Sequence, residues 1–449
     1  MVTITAAKEI KGKLFLPPSP DLFFLGVALS VATGCRARIA PASASPLVER
    51  WIGRFEGHAR ITRDHASYCI EPKAADAGAP MRLTDWDIPY RDFSLFLLLG
   101  RFGSILLDHL PDRRFNQWRR CVERTGCSLS LERSDGTGRL VLDGADRFHL
   151  PDIAVDADDF HPFFGLAMGL RKQAECRTDY TLSSPLRHVL PCFGFECTVR
   201  SLLQKKDEDV LSRRLRFLKT GKKSEGPLQF NVSADFSKPP AAEARLELPG
   251  DEALASLFIA AKCIVPKGSL VLENVGLESW NTQMLQLLKS MGGVVGTQET
   301  GTGAFGSVGS VVVQKINPFG RKVECRPLYQ YVSQLPAMVV MAAFAQGQSI
   351  FRNLEDWRND EPDGIELLNS CIAALGARYG EMPDGIVVEG AKQFDGFDIR
   401  QPLPAAVAGA FAIAGLKCRG STTIDDTFIL ERWPEFKQIL DSVVDYKDS

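Results

Sequence analysis

Glu361 is a candidate for acid–base chemistry. It lies in the acidic, turn-rich segment EDWRNDEPDG, directly before Pro362, a residue type that favours the start of a helix. A carboxylate that is shielded from water and lies near other carboxylates has a raised pKa and can act as a general base or general acid. Acidic residues at this place could instead only stabilise a helix N-terminus through its dipole. We predict the catalytic role for Glu361.

His161 is a second candidate, because it begins an apolar helical segment and ends the acidic run DADDFH. Its imidazole could transfer a proton together with Asp159, although a histidine at a helix start is often a capped or solvated residue. The neighbouring carboxylates could also bind a cation, but DADDFH lacks an established metal-ligand spacing. We predict proton transfer by His161 and Asp159, and no metal.

The composition excludes several classes of protein. The chain has 449 residues, with 53 Lys and Arg against 55 Asp and Glu, and a formal net charge of -2. This balance gives no basic surface for nucleic acid or anionic membranes. The first residues lack the pattern of a signal peptide, and no apolar run approaches the roughly 20 residues of a membrane span. The 11 Cys include no CxxC pair and are read as reduced thiols. We expect a cytoplasmic enzyme without a cofactor.

The elements that must position these side chains form a long-period repeat. Strongly apolar helical segments begin near Phe24, Phe93, Phe160, Glu252, Ser333 and Ala405. Each is followed by a short β-type run and then by an amphipathic helix, as in IELLNSCIAALGARYG, where Gly376 ends the helix. The first helix of each unit is apolar nearly all round, which is typical of a helix buried inside a domain.

We therefore predict six β-α-β-α-β-like units, three in each of two domains. The polar, Pro-containing stretch from Ser233 to Asp251 is the natural break. The predicted N-terminal domain spans residues 19–240 and includes a charged insertion at about 203–226. The predicted C-terminal domain combines residues 1–18 with residues 241–449. The insertion is interpreted as a solvated helix or loop, with a basic lip over a cleft as the alternative.

Three further segments carry a resemblance to a known family. They read IKGKLFLPPSPD, LELPGDEALASLFIAAK and SIFRNLEDWRNDEPDGIELLNSCIAALGARYGEMPDGIVVEG. The chain resembles the enolpyruvyl (carboxyvinyl) transferases, and among them most closely the 5-enolpyruvylshikimate-3-phosphate synthases. The resemblance implies an α/β fold of two inside-out α/β barrels. It also implies a small-molecule site in the cleft between the domains, with the buried helices directing their N-termini into it.

The chain departs from the family where the family binds two anions, phosphoenolpyruvate and a phosphorylated cyclic acid. Anions need Lys and Arg contacts, aided by helix N-termini. In the opening motif LPPSKSxSNR the Lys and Arg become Pro20 and Leu25, and the "KExDR" motif has Asp360 and Gly364 in place of its Lys and second Arg. The basic residues of two later motifs fall on Ala406 and Glu431. These changes predict a cleft that has lost its affinity for phosphoenolpyruvate.

The resemblance also implies roles for individual residues. Glu361 stands at the family's proton-transferring Glu, Asp159 and His161 lie within its Ser-Ser-Gln motif, and Ser333 replaces a catalytic Asp. Arg113, or its neighbour Arg114, falls at the "ERP" Arg and is the predicted carboxylate anchor. The predicted substrate-binding set is Arg113, Asp21, Ser333, Asp356 and Asp360.

Three functions are open at this point. The leading hypothesis is an enzyme on the enolpyruvyl transferase fold that no longer uses phosphoenolpyruvate. It would carry out dehydration, a related elimination or a cyclisation on a shikimate-like cyclic hydroxy acid or an amine-bearing analogue. The alternatives are a divergent carboxyvinyl transferase that uses phosphoenolpyruvate, and a non-catalytic binding protein on the same fold. The oligomeric state is not predicted.

Overall fold

The structure, a computed structural model, describes most of the chain. The described residues are 1–42, 45–73, 81–83, 90–108, 110–134, 137–149, 154–155, 157–178, 184–201, 230–314, 318–326, 328–360 and 363–447. Glu361 and the charged insertion lie outside these residues, and Asp159 is described only through its backbone.

The described α-helices include all of the predicted apolar segments. Their bounds are α1 Pro20–Thr33, α2 Pro46–Phe55, α3 Arg91–Phe102, α4 Asp112–Glu123, α5 Ala157–Gly169, α6 Leu186–Val189, α7 Glu252–Ile264, α8 Gln283–Ser290, α9 Leu335–Ala343, α10 Gly364–Leu375, α11 Ala405–Gly415, α12 Thr427–Arg432 and α13 Phe436–Val443. Short 3-10 helices cover Ala145–Arg147, Leu190–Phe193, Leu328–Gln330 and Glu355–Asn359. Among the described helices, none is long and apolar enough to cross a membrane.

The described strands alternate with these helices along the chain, singly or in groups. They are β1 Val2–Thr5, β2 Ala7–Ile10, β3 Gly12–Phe15, β4 Arg36–Ala40, β5 Ala59–Asp64, β6 Ser67–Pro72, β7 Met81–Leu83, β8 Ser104–Asp108, β9 Ser128–Ser134, β10 Thr137–Asp143, β11 Ala154–Val155, β12 Gln173–Thr178, β13 Cys197–Ser201, β14 Phe230–Asp235, β15 Glu243–Glu247, β16 Leu270–Gly276, β17 Val295–Gly303, β18 Gly306–Val313, β19 Lys322–Glu324, β20 Gln348–Arg352, β21 Arg378–Met382, β22 Gly385–Glu389, β23 Asp398–Ile399, β24 Ser421–Ile424 and β25 Val444–Tyr446.

The described four-stranded sheets share one pairing pattern. Their orders are β15-β4-β6-β5, β7-β8-β10-β9, β11-β12-β14-β13, β3-β16-β18-β17 and β19-β20-β22-β21. In each sheet the first pair is parallel and the other two pairs are antiparallel. The three-stranded sheet β23-β24-β1 repeats the first parallel pair and one antiparallel pair. The fold is thus α/β with a recurring sheet unit, while the six-repeat barrel arrangement stays a prediction.

Among the described residues, the buried apolar side chains form two separate cores. One is built from residues between 22 and 248, with Trp280 and Phe305 added from the C-terminal half. The other combines residues 2–16 with residues between 253 and 444. In the first core α1, α3 and α5 contact one another, and in the second α7, α9 and α11 do so. Each of these helices also contacts strands of its own unit, as α1 does with β4 and β6. Apolar residues cover all faces of α1, and these contacts bury them on every side.

Glycines let two helices of the first core approach closely. A Cβ at Gly165 would lie 2.5 Å from the Phe93 carbonyl oxygen, and one at Gly169 would lie 2.2 Å from the Leu97 carbonyl oxygen. Both distances are far below van der Waals contact, so α5 can lie against α3 only because these positions lack a side chain.

We expect Gly165→Ala to lower the free energy of unfolding by about 1–3 kcal/mol, because the helices must move apart to admit the methyl group. The matched control is Gly53→Ala in α2, where a Cβ would meet nothing within 4 Å. That change should stabilise the protein by about 0.5–1 kcal/mol through helix propensity. Urea unfolding of the three proteins checks both signs. Equal stability of Gly165→Ala and the wild type would contradict the close approach of α3 and α5.

Candidate active site

One cavity, of about 230 Å³, lies where the two cores face each other. Its wall contains first-turn or capping residues of five buried apolar helices: Asp21 of α1, Arg91 of α3, Glu252 of α7, Gln334 before α9 and Ala405 of α11. His161, in the second turn of α5, also belongs to the wall. Because a helix N-terminus carries a partial positive charge and unpaired backbone N–H groups, this convergence favours negative charge in the cavity.

The charged side chains on the described wall are mostly acidic. The carboxyl groups are those of Asp21, Asp92, Glu252, Asp356 and Asp360, and the guanidinium groups are those of Arg91, Arg114 and Arg432. No lysine belongs to the described wall. The cavity therefore carries more acid than base, as the substitutions in the sequence predict, yet it retains arginines that sequence comparison missed.

Arg432 is the centre of the first ionic group. Its Nη1 and Nη2 donate to the two carboxylate oxygens of Asp21 at 2.9 and 3.0 Å. Its Nε and Nη2 donate to Asp251 at 3.0 and 3.1 Å. The Trp433 indole N–H also donates to Asp251, at 2.8 Å, and Asp251 in turn caps α7 through the backbone N–H of Ala253. This group joins α1 to α7 and α12 across the cleft.

Glu252 lies beside this group without a guanidinium of its own. The Ser19 hydroxyl donates to Glu252 Oε2 at 3.1 Å. Burial raises the pKa of Glu252 to about 8, and the negative charges of Asp21 and Asp251 add to the rise. At neutral pH Glu252 is therefore mainly a neutral carboxylic acid on the cavity wall.

Asp360 is the centre of the second ionic group. Arg91 Nη2 and Arg114 Nη2 each lie 2.8 Å from Asp360 Oδ1. Arg114 Nη2 also donates to the Asp356 carbonyl oxygen at 2.6 Å, and its Nη1 donates to Gln117 at 3.0 Å. Arg114 is only 4% exposed and Asp360 11%. Two guanidinium groups from the N-terminal half thus share one carboxylate from the C-terminal half.

Asp356 and Asp92 provide carboxylates that are held mainly by neutral groups. Gln117 Nε2 donates to Asp356 Oδ1 at 3.0 Å, and the Trp118 indole N–H donates to Asp92 Oδ1 at 3.1 Å. Burial raises the pKa of Asp356, Arg114 opposes the rise and the charge of Asp92 adds to it. Negative charge therefore accumulates at this end of the cavity.

The structure places most of the predicted site residues at this cavity. Asp21, His161, Ser333, Asp356 and Asp360 all belong to its wall. His161 is 6% exposed in the second turn of α5. Glu361 directly follows Asp360 in the chain but lies outside the described residues, and the side chain of Asp159 does too. Among the described residues, no group of three or more His, Cys, Asp or Glu is placed to hold a metal ion.

Arg113 and Arg114, the two candidates for the carboxylate anchor, differ in where their side chains lie. The Arg113 side chain is exposed and lies off the cavity wall, whereas its neighbour Arg114 is buried on the wall. Both residues lie in the first turn of α4, and successive helical positions point about 100° apart, so a slip of one residue exchanges a buried side chain for an exposed one. The anchoring role passes to Arg114 as a proposal.

Sequence comparison missed Arg91, Arg432 and Glu252. Arg91 lies in IPYRDF, directly before the apolar run that forms α3, and Arg432 directly follows the substituted Glu431. Glu252 is the first residue of the apolar segment that forms α7. A charged residue so close to a buried helix is uncommon and could have marked Glu252 as a candidate site residue. No sequence pattern indicated which of these residues pair with each other, since Arg432 and Asp21 are 411 positions apart.

The packing around residue 364 leaves room only for a glycine. A Cβ at Gly364 would lie 2.3 Å from atoms of the Trp357 indole. The indole therefore fills the space next to the backbone of residue 364. An arginine side chain at this position, as in the family motif, would require Trp357 to move.

Known proteins share this architecture over nearly the whole chain. An EPSP synthase from Acinetobacter baumannii superposes with a TM-score of 0.68 at 16% identity, covering 98% of this chain and 97% of that one. The enolpyruvyl transferase NikO from Streptomyces tendae gives 0.66 at 14% identity, covering 99% and 97%. At these identities the likeness shows the fold alone. The sequence profile of EPSP synthase, 3-phosphoshikimate 1-carboxyvinyltransferase, matches residues 223–440. The C-terminal half of the chain is therefore similar in sequence to EPSP synthase.

Curated family members are similar over part of their length. The 3-phosphoshikimate 1-carboxyvinyltransferase of Anaeromyxobacter sp. (strain K) is 28% identical over 240 residues, which cover 53% of each protein. That of Acaryochloris marina (strain MBIC 11017) is 30% identical over 177 residues, or 39% of this chain and 40% of the relative. The chain thus spans about half the length, or less, of the curated family members it matches, and its own activity is a matter for proposal.

We expect Arg114→Ala to lower the free energy of unfolding by about 2 kcal/mol or more, because a buried carboxylate loses one of its charged partners. The matched control, Arg113→Ala, removes an exposed guanidinium and should change stability by less than about 0.5 kcal/mol. Chemical denaturation of both variants measures the difference. A larger loss for Arg113→Ala than for Arg114→Ala would contradict the assignment of Arg114 to the cleft.

Proposed function

We propose that this enolpyruvyl-transferase-fold protein is an enzyme that acts on a phosphate-free, cyclic hydroxylated acid or an amine-bearing analogue. It does so by dehydration, a related elimination or a cyclisation, without phosphoenolpyruvate. The proposal rests on the ion pairs of the described arginines on the cavity wall. Each of them already binds a carboxylate of the chain itself.

The internal pairing opposes the binding of phosphates. A phosphate that approached Arg432 would have to displace Asp21 or Asp251, and one that approached Arg91 and Arg114 would meet Asp360. Each lost charge-assisted hydrogen bond is worth about 2 kcal/mol, so several lost contacts lower anion affinity by orders of magnitude. A substrate with one carboxylate, or with an ammonium group, suits the remaining charges better than two phosphates.

Proton-transfer groups support one-substrate chemistry. In an elimination, a base removes a proton from carbon, the electron pair forms a carbon–carbon double bond, and the carbon–oxygen bond to a hydroxyl breaks. The hydroxyl leaves as water once it has received a proton. Glu361, at the position of the family's proton-transferring Glu, is the proposed base, and His161 on the wall is its proposed partner. Arg114 is the proposed carboxylate anchor.

A carboxyvinyl transferase that uses phosphoenolpyruvate is the second candidate. The family match over residues 223–440 and the names of the curated relatives favour it. In that case the phosphate of phosphoenolpyruvate must be bound by groups beyond the described wall, such as the basic residues of the predicted insertion.

Two assays separate these functions. Incubation with phosphoenolpyruvate and shikimate 3-phosphate should release no inorganic phosphate above the protein-free control. Incubation with quinate, shikimate and amino-substituted analogues should give a product lighter by one water, or a cyclised isomer, by mass spectrometry. Phosphate release at a catalytic rate would establish the transferase instead. Binding of an analogue without any product would indicate a non-catalytic binding protein.

With the substrate that these assays identify, Glu361→Gln should lower kcat by at least about 100-fold, because the amide cannot accept the proton. The matched control is Glu366→Gln, at an exposed position in the first turn of α10, which should keep kcat within about two-fold. Unchanged turnover in Glu361→Gln would exclude Glu361 as the base.

A further inference from the structure

We propose that Glu252 and Asn281 form a hydroxyl-binding subsite in the cleft, in which Glu252 is a neutral carboxylic acid that protonates a leaving hydroxyl group. The subsite would take one hydroxyl of a cyclic polyol. Its role as proton donor rests on the proposed dehydration, whereas its hydroxyl binding does not.

The two residues meet at the same place in the structure. Both line the main cavity, and both also line a small cavity of about 10 Å³, together with Gln334. This small cavity approaches the size that one water molecule needs. The two side chains therefore lie close together on the cavity wall.

Asn281 supplies the observation that points to a ligand. It is 7% exposed, and its Nδ2 donates to the Gly276 carbonyl oxygen at 3.2 Å. Its Oδ1 is buried and has no hydrogen-bond partner among the described residues. A buried acceptor without a partner is unfavourable, so a hydroxyl or water that donates to Asn281 Oδ1 would be bound favourably.

Glu252 supplies the complementary donor. Among the described residues, the charged groups that act on it are Asp21 of α1, Asp251 at the start of α7 and Arg432 of α12. Burial raises the pKa of Asp21 and of Glu252, but Arg432 binds Asp21 and Asp251 directly. The proton therefore remains on Glu252, whose side-chain partner in the described part of the chain is the Ser19 hydroxyl.

A hydroxyl placed here would accept a hydrogen bond from Glu252 and donate one to Asn281. In the elimination, the Glu252 proton moves to this oxygen as the carbon–oxygen bond breaks, and water leaves. The electron pair of the broken carbon–hydrogen bond forms the double bond, and the proposed base holds the proton from carbon. Glu252 is left as a carboxylate and is reprotonated by water once the product has left the cavity.

The first test needs no substrate and uses Glu252→Gln, a neutral near-isostere. The unfolded chain releases the Glu252 proton near pH 4.5, whereas the folded protein keeps it to about pH 8. Ionisation of Glu252 therefore opposes folding as the pH rises between these values, and E252Q removes that effect. The Tm of E252Q minus that of the wild type should rise by at least about 2 °C from pH 5 to pH 9.

The control for this titration is Glu123→Gln, at an exposed position of α4, whose Tm difference should not change with pH. If E252Q does not fold, carbon-13 labelling of the glutamate carboxyl groups in the wild type gives the same answer. One carboxyl signal should keep its protonated position to about pH 8. A Tm difference that does not depend on pH, or the absence of such a signal, would overturn the inference.

The second test measures the binding of quinate by isothermal titration calorimetry. Wild-type affinity should fall at least 10-fold from pH 6 to pH 9, because ionised Glu252 can no longer donate a hydrogen bond. The affinity of E252Q should vary by less than about two-fold over the same range. A wild-type affinity that is independent of pH, or no binding of quinate at pH 6, would contradict the subsite.

The two proposals can fail separately. Quinate that binds with the expected pH dependence but yields no product would leave the subsite standing and contradict the proposed dehydration. If the wild type turns over a substrate but the Tm difference of E252Q does not depend on pH, the proposed dehydration stands and the subsite is contradicted.

Discussion

The N-termini of five described helices, α1, α3, α7, α9 and α11, meet at one cavity, and the rest of the site depends on how their positive ends are compensated. Each contributes roughly half a positive elementary charge and several unpaired N–H groups. The buried helices are too apolar to neutralise this themselves, so the compensation comes from side chains at their starts. Asp21 and Asp92 lie in first turns, and Asp251 caps α7 through the backbone N–H groups of Ala253 and Leu254. In this protein the negative charge that the helices require is largely supplied by the chain.

The same carboxylates hold the two halves together. Arg432 of the C-terminal half binds Asp21 of α1, and Arg91 and Arg114 of the N-terminal half bind Asp360. Buried ion pairs contribute little net stability relative to apolar packing, but the loss of one partner is costly. The pairs therefore specify how the halves meet across the cleft. They also decide the chemistry, because an arginine that holds an internal carboxylate is not available to a phosphate.

Much of the fold could be predicted from the sequence. The apolar segments near Phe24, Phe93 and Ala405 are helices because their apolar residues cover all faces, and such a helix is stable only when it is buried. The start of α7 agrees with the prediction to the residue, because Asp251 is a strong N-cap. The site was partly predictable, since Asp356 and Asp360 occupy recognisable motif positions. The sequence could not decide between Arg113 and Arg114, because adjacent helical positions face different directions.

The sequence by itself determined the repeating α/β elements, the family resemblance and the exchange of basic for acidic residues in the motifs. These follow from local patterns, in which each residue type and its near neighbours carry the information. Only the tertiary structure decided which charges meet. The pairing of Arg432 with Asp21, the shared contact of Arg91 and Arg114 with Asp360, and the neutral state of Glu252 depend on burial and on distances between residues far apart in the chain. A pKa and an ion pair are properties of the surroundings in three dimensions, and a sequence pattern does not contain them.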